Sequence, residues 1–368
     1  MFTDATPARL HRQLLRWRLG RLHARGQRRS AVTEAAEPSL LRLNQRLRQT
    51  SVDQNRNRLA HCPRRILLCT PPSLAAGVWF TDLHAGMRHA GVQVRLLAPG
   101  ETVGAELLGE FRPDVLLSLD SDAQLRRIDL DALLAHKRAH GCLRLLVPTD
   151  NAPRAERHAD AFCSLYEPEY FLAQHRALAE AGFPYISLPQ SGNPLDDHMV
   201  EADRNQDYFY ASVCTPERLA LTSRNLRPIL RDTHGDWAGE HWGFGEGPIR
   251  FSEMSRHYSS ARIVLAPLVP RLTASPMELT HRVFEAAACG AFQLTTLSPI
   301  TRRYFAENEL VCAPTNDEYA RVFFEWLPRR DERLRRAERA MVALYAAHTV
   351  FHRIEAFLAE LQRLSSRF

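Results

Sequence analysis

Two hydrophobic patterns divide this chain. The first sixty or so residues scatter leucines among arginines: Leu10, Leu14, Leu15, Trp17, Leu19 and Leu22 over 7–29, then Leu40, Leu41, Leu43, Leu47 and Leu59 over 39–59. Both stretches predict helices without a clean apolar stripe, joined by a linker from Ser30 to Pro38. From Arg64 onward, short apolar runs alternate with amphipathic stretches. Strands are expected at Ile66–Thr70, Val92–Ala98, Val115–Leu119, Leu143–Val147, Ala161–Leu165 and Tyr185–Leu188. A helix with Phe80, Leu83, Met87 and Ala90 inward follows the first strand, and others are expected over roughly 123–139 and 169–181. Strand–helix alternation of this kind means a parallel, doubly wound sheet.

The segment from Leu188 to Tyr208 is polar, carries Pro189, Gly192 and Pro194, and reads as an interdomain linker. A second α/β series then begins with a strand at Phe209–Val213, a helix from Pro216, a weak strand near Ile229–Asp232 and a strand at Arg262–Ala266. It continues through Leu310–Cys312 into helices from about 316 to 365. Within it, His281 to Phe292 is the most informative stretch: a helix that ends on Gly290 and turns at once into a strand, Ala291 to Thr296. Val283, Phe284, Ala287 and Ala288 are its inward positions, while Arg282 and Glu285, three apart, share a face. An Arg and a carboxylate presented together suit a ligand with both phosphates and a ribose, that is, a nucleotide sugar. A surface Arg–Glu pair on an amphipathic helix is the plainer alternative.

At 368 residues the chain exceeds one comfortable hydrophobic core. Four segments are expected: 1–60, an Arg-rich helical extension; 61–190, a Rossmann-like acceptor domain; 191–347, a Rossmann-like donor domain; and 348–368, a terminal helix returning to the acceptor domain. Two open α/β sheets imply a cleft at the carboxyl ends of their strands. Apolar and charged fractions of 45% and 24% are those of an ordinary soluble protein, with no run long enough to span a bilayer. The first residues lack the apolar core of a signal peptide, so a cytoplasmic location is expected. The seven cysteines are scattered and form no CxxC pair, which argues against a disulfide framework or zinc ribbon.

Charge is uneven. Up to Arg65 the arginines are opposed only by Asp4, Glu34, Glu37 and Asp53, so with a total of +6 the remainder is mildly acidic. The basic segment is expected to pack on the main body or on a partner protein. An anionic surface, membrane or nucleic acid, is the alternative; with no aromatic interleaving and no reader motif, nucleic acid is not expected.

The run Arg282-x-Phe284-Glu285-Ala286-x-Ala288-Cys289-Gly290 resembles the donor-site helix of GT-B glycosyltransferases, especially the CgeB-like (glycosyltransferase group 1) proteins. Other segments resemble that family in order: Leu188-Pro189 with Pro194, Thr215-Pro216-x-Arg218, Gly235-x-Trp237, and His348-Thr349 with Arg353. The resemblance is good over roughly 185–355, looser over 64–184 and absent from the extension. It implies an α/β GT-B fold, two Rossmann-like doubly wound domains facing a cleft, and a hexosyltransferase-like enzyme using a nucleotide sugar as co-substrate. Glu285 would accept hydrogen bonds from the ribose hydroxyls. Arg282 and Arg218 would neutralise the diphosphate and the leaving group. The amides near Thr280 and His281 would add dipole stabilisation. His234 and Gly235 form a turn that lets backbone approach a ligand, and the glycine-rich Trp242–Pro248 is either a mobile loop by the nucleobase or a simple surface turn.

One departure matters. Retaining relatives carry two glutamates with seven residues between them, and counting back from Glu285 reaches Met277, with Glu278 one step off. The stereochemical outcome is therefore open. For an inverting reaction, Asp120 and Asp150, each after a strand, are the candidate bases for an unidentified glycan, protein or small-molecule acceptor. Ordinary turn chemistry explains both equally, and Asp82 and His84 on the first helix are rivals. Asp120-Ser121-Asp122 is an Asp-x-Asp but lacks a metal-binding context, so no metal or other cofactor is expected. The alternative function is a non-catalytic GT-B-like scaffold acting through its basic extension.

Overall fold

The computed structural model describes residues 7–69, 74–98, 100–148, 158–165, 167–169, 171, 176–245, 249, 251–269 and 279–365. Helices α1 (Pro7–Gly26) and α2 (Pro38–Asn55) come first. Next are β1 (Arg65–Cys69), α3 (Leu74–His89), β2 (Gln93–Leu97), α4 (Ala105–Phe111), β3 (Val115–Asp120), α5 (Asp122–Leu125), α6 (Leu130–His140), β4 (Leu143–Pro148), β5 (Ala161–Ser164), α7 (Arg176–Glu180) and β6 (Tyr185–Ser187). A second run holds β7 (Gln206–Ala211), α8 (Pro216–Leu221), α9 (Arg227–Asp232), β8 (Gly235–Ala238), α10 (Phe251–Ser260), β9 (Ala261–Ala266), α11 (His281–Ala288) and β10 (Gln293–Thr296). It ends with α12 (Pro299–Tyr304), β11 (Val311–Ala313), α13 (Tyr319–Trp326), α14 (Arg330–Ala347) and α15 (Val350–Ser365).

These elements gather into two compact units. One is Thr50–Leu195 with Thr349–Phe368; the other is Met1–Gln49 with Asp196–His348. In the first, six parallel strands lie in the order β2-β1-β3-β4-β5-β6. Side chains alternate across a strand, so Ile66 and Leu68 join a core with α3 and α15, through Phe80, Leu83, Phe351 and Ile354. Leu67 and Cys69 face Leu108 of α4 and Leu133 of α6 on the other side. The chain's last helix thus completes the core of its first sheet.

In the second unit, the five parallel strands run β11-β10-β9-β7-β8. Viewed from the β8 edge, this is the same order as the first sheet. Each sheet reverses direction beside its first strand, at β1/β3 and at β7/β9. Open α/β sheets bind ligands at the carboxyl ends of the strands flanking that point.

Several local expectations need correction. Ile229–Asp232 is not a strand but lies in α9, which continues from α8 through a π turn, Thr222–Leu226. Pro228 follows directly on the π turn, and Ile229 and Leu230 are core residues of the second unit. Too few apolar positions are present there for the two periods to be told apart. The strand is instead Gly235–Ala238, where a turn was expected. The helix expected over 123–139 is two, α5 and α6, the second capped by Asp129, whose side chain accepts from the Ala132 amide at 3.1 Å. In the glycine-rich stretch, Trp242 is buried against Trp237 and donates its indole N–H to the Ser212 carbonyl at 2.7 Å, so this part is core and not a mobile loop. Glu246, Gly247 and Pro248 lie outside the described residues.

Up to Gln49 the basic extension packs inside the second unit. Leu19 and Leu22 of α1 meet Leu226, Ile229 and Leu230, while Leu40, Leu43 and Leu47 of α2 lie with Phe284, Ala288 and Met341. Between the two helices, Glu34 pairs with Arg204 in a backbone bridge, amide to carbonyl at 3.0 and 2.8 Å. Its side chain enters the amino end of the sheet. There one carboxylate oxygen accepts from Arg262 Nε at 2.7 Å and from Arg333, which is 1% exposed. Arg262 also donates to Asp207 at 2.7 Å. Burial would raise the Glu34 carboxyl, but Arg333 and Arg262 outweigh it and hold it below the ordinary value. Breaking a buried pair on one side leaves an uncompensated charge. Glu34→Ala is therefore expected to lower unfolding free energy by about 3–5 kcal/mol in a urea titration.

Candidate functional site

The carboxyl ends of β7 and β9 collect the residues singled out on α8 and α11. After β7 the chain passes through Ser212–Cys214 into α8, whose N-cap Thr215 accepts from the Arg218 amide at 3.2 Å. Arg218 folds its guanidinium back, Nη1 donating to the Val213 carbonyl at 3.2 Å. Beyond β9, α11 starts at His281, so Arg282 comes to the same strand ends. Its guanidinium carbon lies 5.7 Å from the centre of the Tyr210 ring on β7. Two arginines distant in sequence are thereby placed on the two elements that follow the switch-point strands.

Helix α11 is closed at one end and open at the other. An α-helix leaves its last four carbonyls without intrahelical partners. Here Cys289 N–H donates to Glu285, Ala291 N–H to Ala286 and Gly290 N–H to Ala287, each at 3.0 Å. The last two bonds form a Schellman motif, for which Gly290 takes φ +60°. The fourth carbonyl, Ala288, accepts from the Asn44 side chain of α2 at 2.6 Å. Asn44 in turn accepts from the Met199 amide at 3.0 Å. At the amino end, the N-cap Thr280 makes no side-chain cap bond, and its hydroxyl oxygen is buried without a hydrogen-bond partner. A helix N-terminus of this kind suits an anion through its amides and dipole.

Glu285 lies one turn inside that end and is 6% exposed. Its Oε2 accepts from the Tyr258 hydroxyl at 2.7 Å, and its Oε1 is 3.3 Å from His281 Nε2. Burial would raise this carboxyl; His281, the Tyr258 hydroxyl and Arg282 together overcome that and hold it below its ordinary value. The carboxylate is thus fixed and ionised at neutral pH. Tyr258, on α10, was not visible in the sequence as a partner: nothing in its local pattern marks a hydroxyl twenty-seven residues from the acid it serves.

His234 and Gly235 do not join this group. They lie at the amino end of β8, across from Tyr208 and the opposite end of the sheet from α11. The His234 amide donates to Asp207 at 3.1 Å, and its ring Nδ1 is 3.3 Å from the Gln27 carbonyl. Gly235 has a packing reason: a Cβ there would run into the Tyr208 carbonyl and ring. The turn expected to admit a ligand is a strand start pressed against its neighbour.

In the first unit, Asp120 ends β3 at that sheet's own switch point and is 7% exposed. Asp150 lies outside the described residues, as do Met277 and Glu278. Asp82 accepts from the Asn193 side chain at 2.9 Å, both buried, which ties α3 to the Leu188–Pro194 segment. That segment is also held by the other resembling motif. The Val350 amide donates to Gly192 O at 2.9 Å, and Arg353 Nε donates to Gln190 O at 3.3 Å. His348 belongs to the second unit, where its ring packs beside Phe284, Tyr304 and Phe305. These motif residues hold segments in place.

Comparison with known proteins bears on the fold. Residues 221–359 match a family model described as glycosyl transferase-like. No curated protein matches the chain. Among solved structures, a glycosyltransferase from Rickettsia africae ESF-5 superposes with a TM-score of 0.54 at 9% identity, covering 83% of this chain and 98% of its own. The Anabaena protein HepE, in complex with UDP and glucose, gives 0.54 at 10% identity over 81% and 99%. The T4 phage enzyme BGT with its UDP-glucose substrate gives 0.52 at 12% over 82% and 99%. The fold is that of the GT-B glycosyltransferases, two Rossmann-like parallel sheets of one topology.

A depressed carboxyl contributes stability that is present above its unfolded pKa and lost as pH falls through the folded one. Removing the Tyr258 hydroxyl raises the folded pKa of Glu285, so the loss begins at higher pH. Tyr258→Phe is expected to move the acid-unfolding midpoint upward and to cost about 1.5–3 kcal/mol at neutral pH. Circular dichroism during acid titration measures the first effect and urea unfolding the second.

Proposed function

We propose that this chain transfers a sugar from a nucleoside diphosphate sugar, and that the donor sits at the carboxyl ends of β7 and β9. The observation that carries the reading is the placement of Arg218 and Arg282 on α8 and α11, the helices that follow the switch-point strands β7 and β9, with α11 bonded at its carboxyl end and uncapped at its amino end. In this reading the diphosphate lies at the Thr280–His281 amides, and the two arginines neutralise it and the charge that develops as the sugar–oxygen bond breaks. Glu285, already ionised and held by Tyr258, accepts from the ribose hydroxyls. His281 orients its other oxygen. A UDP-sugar is the proposed donor, because UDP or UDP-glucose occupies two of the similar structures. The CgeB-like placement is part of the same proposal, resting on the motifs from Leu188 to Arg353. His234 and Gly235 drop out of the donor set because they lie at the other end of the sheet.

Asp120 and Asp150 remain the proposed bases for an acceptor hydroxyl. Asp120 has in its favour a position at the carboxyl end of β3. The reaction as proposed needs no metal: the arginines and the helix end supply the positive charge that phosphoryl leaving groups require.

Glu285→Gln keeps the acceptor oxygen for Tyr258 and loses the charge. It is expected to weaken UDP-sugar binding by about ten- to a hundredfold, the worth of one or two charge-assisted hydrogen bonds, and to lower the melting temperature modestly, because the charge met by Tyr258 and His281 is lost, while the chain still folds. Calorimetric titration reads the affinity, and an unchanged value would overturn the donor site. Slow hydrolysis of UDP-, GDP- or TDP-sugars separates an enzyme from a scaffold: a non-catalytic module leaves every donor intact.

A further inference from the structure

The exposed face of α1 has no place in the donor chemistry and has its own pattern. Leu15, Leu19, Leu22 and Gly26 turn toward α8, α9 and the sheet. The opposite face carries Leu10, Leu14 and Trp17, which are 55, 44 and 57% exposed. Positions three and four apart stack on one side of a helix, so this row continues directly into Arg21, whose guanidinium carbon lies 5.0 Å from the Trp17 ring centre. Arg18 and Arg25 flank it on the helix and are exposed. No acidic residue occurs in Pro7–Gly26. The helix therefore presents an apolar half and a cationic half on one solvent-facing side, while its other side is already committed to the core.

We propose that this face docks on an anionic lipid surface, with α1 lying in the plane of the interface. The charge and the apolar row select the partner together. Arginines alone would suit any polyanion, but a nucleic-acid backbone offers no apolar phase for Leu10 and Leu14. A bilayer interface supplies both, headgroup phosphates for the arginines and the acyl boundary for the leucines and the indole. Trp and Arg side chains also place their polar ends at headgroup level while burying apolar surface. No described helix is long and apolar enough to cross a membrane, so the contact is peripheral.

The molecule carries its own reporter. Of its tryptophans, Trp17 is 57% exposed, whereas Trp79, Trp237, Trp242 and Trp326 are at 9% or below. The full chain is titrated with vesicles of phosphatidylcholine alone or with about 30% phosphatidylglycerol, at about 0.1 M salt. Anionic vesicles are expected to shift the emission to the blue and carry the protein into the pellet, with neutral vesicles about tenfold weaker or worse. The variant Leu10→Ala/Leu14→Ala/Trp17→Ala, which removes no core contact, is expected to sediment about tenfold more weakly at an unchanged melting temperature. Three results would overturn the proposal: no shift with anionic vesicles, a triple variant that sediments like the parent, or duplex DNA or RNA bound more tightly than vesicles and equally by the triple variant. Because none of these readouts uses a sugar donor, they stand or fall apart from the transferase reading.

Discussion

The second unit is organised around one buried carboxylate. Glu34 enters the amino end of the sheet from the N-terminal segment and neutralises Arg262 and Arg333, while Asp207 takes the other side of Arg262. Arg204 stands beside them, 3% exposed, and burial with Arg333 nearby pushes it down to about 10, still protonated at neutral pH. The guanidinium groups of Arg262 and Arg333 could not be buried here without those acids, since the cost of desolvating a charge is met only by paired geometry. Glu34, lying between two arginine-rich helices, is therefore what ties the extension into a folded unit.

That placement reaches the other end of the sheet. With Glu34 fixed, α2 runs behind α11 and delivers Asn44 to the last carbonyl of the helix. A basic segment that composition alone marks as an appendage thus closes the carboxyl end of the helix whose amino end faces the candidate donor site. The polarity of α11 follows: its last carbonyls are met within the protein, and the uncapped positive end lies toward the carboxyl ends of the strands. Glu285 fits the same logic. A buried carboxylate costs free energy unless its oxygens are met, and Tyr258 and His281 meet them with defined geometry.

The architecture was legible because parallel strands buried on both faces are continuous apolar runs. Ten of the expected strands fall on observed ones to within a few residues, and the Gly290 turn follows from the one residue that takes φ +60° without strain. Reading failed where the run was short or its neighbours decided the outcome. Ile229 and Leu230 fit either period until α1 packs against them. Gly235-x-Trp237 looks like a turn because glycine breaks strands, yet the glycine is there so that β8 can lie against Tyr208. Tyr258, Asn44 and Glu34 carry no local signal, since each acts on a residue far along the chain.

By itself, the sequence determined the two α/β series, the helix bearing Arg282 and Glu285, and the concentration of positive charge before Arg65. These are properties of local period, capping and composition, which act over one or two turns of chain. Only the tertiary structure decided which strand ends meet, and hence that Arg218 and Arg282 follow neighbouring strands while His234 and Gly235 lie at the far end of the sheet. It alone decided that one face of α1 is core and the other solvent. Such choices depend on strand order and on buried charges finding partners, and both are long-range terms that no window of sequence contains.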